Sequence, residues 1–161
     1  MSRGILIAVL RPSWSGSTIV SQRVKDGDVS PSNYQSRYGI DPYLDWVEKE
    51  GLKVTEDYGV NLFSVETAMW PRYGAKAAAV HLKGRGDFLA MYVIDIPKGG
   101  KTAPQKMMAE EVFYVIDGHG STVVESYDGK KHQFEWGPRS LFALPLNSRY
   151  QHFNGSGSER A

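Results

Sequence analysis

The sequence predicts an all-β domain preceded by one short helix. Beyond Val60 the chain breaks into about eight short runs rich in β-branched and aromatic residues, with turn-forming clusters between them. Seventeen glycines and eight prolines in 161 residues supply those turns. Runs at this spacing point to an antiparallel sandwich or barrel.

A chain of 161 residues suits one domain, long enough to bury a core without disulfides. Its 41% hydrophobic and 23% charged residues are ordinary for a globular protein. A net charge of +1, with no basic run interleaved with aromatics, gives no case for a nucleic-acid partner. The absence of cysteine excludes disulfides, thiolate metal sites and cysteine nucleophiles. It fits a reducing compartment, and the expected location is the cytoplasm. The N-terminal "GILIAVL" falls far short of the about 20 apolar residues that span a bilayer, so no membrane partner is expected. It reads as a short strand, or as an over-extended gene start, rather than as a secretory signal. Arg11 follows at once, and the stretch after it offers no clean small-x-small cleavage site.

Residues 1–40 read as an extended arm, since 12–40 are rich in Ser, Gly, Asp and Pro with little periodicity. Residues 41–59 read as a short helix and linker. In "DPYLDWVEKEG" Asp41 is a good N-cap, and Pro42 sits where its missing N–H costs nothing. Gly51 can close the C-terminus in the left-handed region. The helix is expected over Asp41–Glu50, with Tyr43, Leu44, Trp46 and Val47 as one apolar stripe. Residues 60–161 hold the strands: "VNLFSVETA", "KAAAVHLKG", "DFLAMYVIDI", "EEVFYVIDG", "GSTVVESY", "KHQFEWG", "SLFALPL" and "YQHFNGS". The clusters "KGRGD", "PKGG", "DGHG", "YDGKK" and "GPRS" separate them. "YDGK" is the clearest hairpin turn, because Asp-Gly supplies positive φ.

Two stretches carry a family resemblance. "GGKTAPQKMMAEEVFYVIDGHG" resembles the first cupin motif, whose characteristic positions fall on Gly99, Gln105, Met107, Glu111 and Gly118. "GPRSLFALPLNSRYQHFN" resembles the second, with Gly137, Pro145, Asn147, Tyr150 and Asn154. The resemblance covers roughly residues 60–154. In layout it is similar to the N-terminal half of gentisate dioxygenase-like two-cupin proteins. It implies an antiparallel jelly-roll barrel (a double-stranded β-helix) over 60–161, truncated at its C-terminus relative to the family. An open barrel edge implies a homodimer formed through edge strands.

The family's metal site uses three histidines and a glutamate, and the resemblance puts Gln105, Met107, Glu111 and Tyr150 at those positions. A Gln carbonyl is a weak ligand, a thioether prefers soft Cu(I), and a neutral tyrosine is a poor ligand. The three-histidine site is absent, and no cofactor is expected. The alternative is Fe2+ or another divalent metal on an altered set of Glu111, His152 and Gln105. His152 shares a strand face with Tyr150 but lies about 6.6 Å further along, at about 3.3 Å per residue. Glu111 should face inward and Glu110 outward. A carboxylate inside a barrel without a metal must pair or take up a proton, which makes it a candidate acid or base.

The candidate catalytic residues are therefore Glu111, Tyr150 and His152. Gln105, Met107, Phe113 and His81 are the candidate substrate-binding residues, with Met91 or Tyr92 closing a side. His119 and His132 sit in turns and should be solvated. Three functions compete. The first is a cupin domain that binds a small organic molecule. The second is a metal-dependent dioxygenase of aromatic-acid type, with an altered ligand set or an intact site in a second cupin. The third is a metal-free isomerase or lyase using Glu111 as acid or base.

Overall fold

A computed structural model describes residues 5–10, 42–83 and 89–155. Most of the expected arm, the Asp41 cap, most of the "KGRGD" turn and the tail beyond Gly155 lie outside the described residues. Within them is one α-helix, α1 (Pro42–Lys49). The strands are β1 (Ile5–Leu10), β2 (Lys53–Asp57), β3 (Ala68–Trp70), β4 (Ala75–Leu82), β5 (Leu89–Asp95) and β6 (Gln105–Lys106). They continue with β7 (Glu110–Val115), β8 (Gly120–Glu125), β9 (Lys131–Trp136), β10 (Leu141–Leu144) and β11 (Arg149–Asn154).

Among the described residues the strands form two separate sheets rather than one closed barrel. The larger runs β10-β7-β1-β5-β4-β2, with β3 also pairing β4, and the smaller runs β6-β11-β8-β9. A common core lies between them. The larger sheet contributes Ile5, Ile7, Ala77, Ala79, Ile94, Phe113 and Val115, and the smaller Val124, Trp136 and Tyr150. Strict alternation aims these side chains. In β7, Glu111, Phe113 and Val115 are buried while Glu110 and Tyr114 are exposed; in β11, Tyr150, His152 and Asn154 point inward.

β4 and β5 are covered on both faces. Ala78, Val80, Met91 and Val93 form a second cluster on the outer face with Val65, and Val60 and Leu62 pack against it. This coverage overturns one expected strand. "VNLFSVETA" contains a 3-10 turn at Leu62–Ser64, capped by the Asn61 side chain accepting from the Phe63 N–H. Val60, Leu62 and Val65 pack over the sheet face, while Ala68 at the end of the stretch begins β3. Strand β2, in the expected linker, pairs with β4 in parallel, the exception to the antiparallel pattern. The "GILIAVL" stretch forms β1, paired to β5 on one side and β7 on the other.

Local chemistry explains the ends of the elements. Gly51 lies at φ +67, its N–H bonds Glu48 O, and Leu52 N–H reaches back to Val47 O. This is a Schellman stop, sealed by the buried pair Val47 and Leu52. The "YDGK" turn links β8 to β9, with Gly129 at φ 80 and its N–H bonding Ser126 O. Gly120 is needed for space: a Cβ there would lie 2.1 Å from Phe153 O and 2.4 Å from a Trp136 ring carbon.

Candidate functional site

A cavity of about 480 Å³ opens beside α1 and ends on Glu111. Three elements build its aromatic wall. The helix stripe brings Tyr43 and Trp46, β5 brings Tyr92, and β3 with its following turn brings Trp70 and Tyr73. Trp70 stacks on Tyr73 at 4.9 Å and on Tyr92 at 5.6 Å, while Trp46 stands edge-on to both Trp70 and Tyr92. Tyr92, on the inner face of β5, closes the side; Met91 belongs to the outer cluster.

Glu111 is 4% exposed, and its Oε1 accepts a 2.8 Å hydrogen bond from the Tyr150 hydroxyl. Tyr150 spends its single proton there, so its oxygen accepts from Tyr73 Oη at 2.9 Å. The result is a three-member chain, Tyr73 to Tyr150 to Glu111, crossing from the turn through the smaller sheet to the larger. Burial raises the Glu111 carboxyl to about 7, against the opposing pull of the Tyr150 hydrogen bond. Burial likewise pushes both phenols up, so neither ionises near neutrality. The Glu111 Oε2 makes no hydrogen bond among the described residues and is left to the cavity.

Gln105 pairs across strands with Tyr150, and its amide donates to Arg72 O and Ala103 O, at 2.9 and 3.1 Å. It thereby fixes the turn that carries Tyr73. Arg72 forms a two-point ion pair with Glu50, at 2.9 and 2.6 Å, and covers the Trp46 ring at 5.7 Å. Trp70 Nε1 donates to the same carboxylate at 2.7 Å. The Arg72 hydrogen bond holds Glu50 below its ordinary value, so this pair is already neutralised.

The structure brings Gln105, Met107 and Glu111 together on the cavity wall, with Tyr150 bonded behind them. Phe113 and His152 lie one layer deeper. Thr122 Oγ1 accepts from Trp136 Nε1 at 2.9 Å and meets His152 Nδ1 at 2.7 Å. Donating the Thr122 proton to Nδ1 satisfies both groups, which leaves the hydrogen of the neutral ring on Nε2. That nitrogen has no hydrogen-bond partner among the described residues; the Phe113 and Tyr150 rings pack on the imidazole, 4.9 and 5.2 Å between ring centres. Burial lowers His152 to about 3, so it stays neutral. His81 is buried and does not line the cavity, and the Tyr43 hydroxyl lies 3.0 Å from its Nε2. His119 and His132 are exposed.

These donors do not fit a transition metal. Tyr150 is neutral and bonded to Glu111, the Gln105 amide is turned to two backbone carbonyls, and Glu111 supplies the single carboxylate. Among the described residues no group of three or more His, Asp or Glu could hold an ion. Trp70, Arg72 and Tyr73 are site residues that strand patterning misses. The signal for them is "WPRYG", where a Pro-Gly turn carries two bulky aromatics that must pack somewhere.

No protein-family model matches the sequence. No curated protein matches it either. Among solved structures the fold is similar to that of an oxalate decarboxylase from Lactobacillus farciminis, crystallised as a formate complex. The likeness has a TM-score of 0.52 at 14% identity, and it covers 62% of this chain and 30% of that one. That enzyme is a cupin, so the similarity supports a cupin-like, β-rich fold and does not extend to chemistry. No helix among the described residues is long and apolar enough to cross a membrane.

Proposed function

We propose that this is a cupin-type binding domain, its two sheets the halves of a jelly roll, holding a small organic molecule in the cavity above Glu111. The cavity itself carries the reading. Its volume of about 480 Å³ lies within the range of small-molecule sites, and its wall is aromatic with few polar groups. The expected result of a thermal-shift screen is stabilisation by a subset of compounds, lost in Trp46→Leu. A protein that no small molecule stabilises would end the proposal.

The hydrogen-bonded chain supports a second reading, a metal-free isomerase or lyase. Glu111 sits near neutrality in its proton affinity and faces the cavity, which is what a general acid or base requires. Such activity should vanish in Glu111→Gln while binding of an uncharged ligand survives. The aromatic-acid dioxygenase reading finds no adequate ligand set on this chain, and the intact site it needs would have to come from a second cupin. Elemental analysis of the purified protein is expected to show no stoichiometric transition metal. About one Fe, Mn, Zn, Ni or Cu per chain, lost in Glu111→Ala, would reverse this.

A further inference from the structure

We infer that the cavity selects an organic cation, an alkylated ammonium group set among the aromatic faces with Glu111 as its counter-ion. The inference rests on the proposed binding site and adds the charge of its ligand. Two ionisable groups of the wall other than phenols meet the cavity, Arg72 and Glu111. Arg72 is committed to Glu50 through two short hydrogen bonds, so it offers no free fork to an incoming carboxylate. Glu111 has no cationic partner among the described residues, and one of its oxygens is unspent. The site thus carries one uncompensated acidic group. Five aromatic rings line the same space, and a desolvated cation gains most beside such rings.

An anion entering here would lose its water, find Arg72 already paired with Glu50 and face Glu111. A neutral ligand would gain burial alone. A cation gains burial, ring attraction and a carboxylate, and it would in turn hold Glu111 ionised. The groups facing Glu111 from the neighbouring elements are Tyr150 and Tyr73, both neutral phenols, so no nearby cation competes for the carboxylate.

Two isosteric probes that differ in charge, and a third of opposite charge, decide the matter. Phenyltrimethylammonium, its neutral isostere tert-butylbenzene and the anion benzoate are titrated into the full chain at pH 8, with tryptophan fluorescence as readout. The cation should bind at least tenfold tighter than the isostere, and benzoate weakest. Glu111→Gln, which keeps an acceptor for Tyr150, should erase most of that preference while leaving the isostere unchanged. Trp46→Leu, at the half-buried rim, should weaken the cation more than the isostere. Equal or tighter binding of the isostere or benzoate overturns the cation while leaving the ligand site standing. Failure of all three probes, in a protein that other compounds stabilise, overturns it as well. Failure of every compound tested ends the binding site itself.

Discussion

At the scale of single residues, Glu111 and His152 store opposite responses to pH. Glu111 rises from its ordinary 4.5 to about 7 in the folded chain, so the folded state holds its proton more tightly than the unfolded one. Its burial therefore costs nothing below about 4.5, and stability falls as pH rises toward 7, by up to about 3 kcal/mol. His152 drops from 6.5 to about 3, so the unfolded chain takes up a proton there that the folded chain refuses. That stability is whole above 6.5 and is lost as pH falls toward 3. Between 4.5 and 6.5 the two slopes offset, and urea melts of the wild type should show a plateau there. Glu111→Gln removes one slope, so its stability should instead climb with pH across that range. Parallel profiles for the two proteins would contradict this assignment. The cupin resemblance places Glu111 inside, and alternation along the strand then puts Glu110 outside. It does not reveal Tyr73 as the far end of the hydrogen-bonded chain, since that contact joins residues 73 and 150 through tertiary folding.

Elements set which substitutions the fold tolerates. Two glycines are required here for different reasons. Gly51 is there for its positive φ, with open space around it, so Gly51→Ala should cost about 1–2 kcal/mol. Gly120 is there for want of room between Phe153 and Trp136, and Gly120→Ala should cost about 3 kcal/mol or prevent folding. Chemical denaturation of both variants separates the cases. Strand placement tests the motif positions directly. Because Gln105, Met107 and Glu111 share one wall and Tyr150 bonds to it, the triple change Gln105→His, Met107→His and Tyr150→His should create a site for Zn or Ni. The expected sign is a melting temperature that rises with added metal in the triple variant and barely moves in the wild type. Strands β7, β8, β9 and β11 are legible because their sequences alternate or end on Asp-Gly. β2 and the 3-10 turn are not. "KVTED" carries little apolar signal and is held by pairing to β4, while the β-branched "VNLFSVETA" is recruited to cover a sheet face.

For the whole molecule, strand order decides what depends on what. The larger sheet ends at β10 and β2 among the described residues, and the smaller at β6 and β9. Charged and polar residues guard β9, whereas Leu141 on β10 is 69% exposed. If copies of the chain pair through an edge, as the open ends propose, sedimentation should show a dimer at micromolar concentration that Leu141→Lys dissociates. A monomer at all concentrations would remove that proposal. The β-rich class and the alternation along β7 and β11 are readable from pattern, which leaves sandwich and barrel both open. Which strands sit next to each other is not, because β1 finds β5 and β7 far along the chain.

That placement of β1 has a consequence for how the protein is made. Ile5 lies opposite Ile94 on one side and Val115 on the other. On the ribosome β1, which joins the two halves of the larger sheet, emerges ahead of the other described strands, and its neighbours β5 and β7 follow only after β2, β3 and β4. Until about a hundred residues have been synthesised, "ILIAVL" is an apolar, β-prone segment with no permanent partner in its own chain. A nascent chain stalled before β7 should therefore be retained by a chaperone that binds hydrophobic segments, and released once β7 has cleared the exit tunnel.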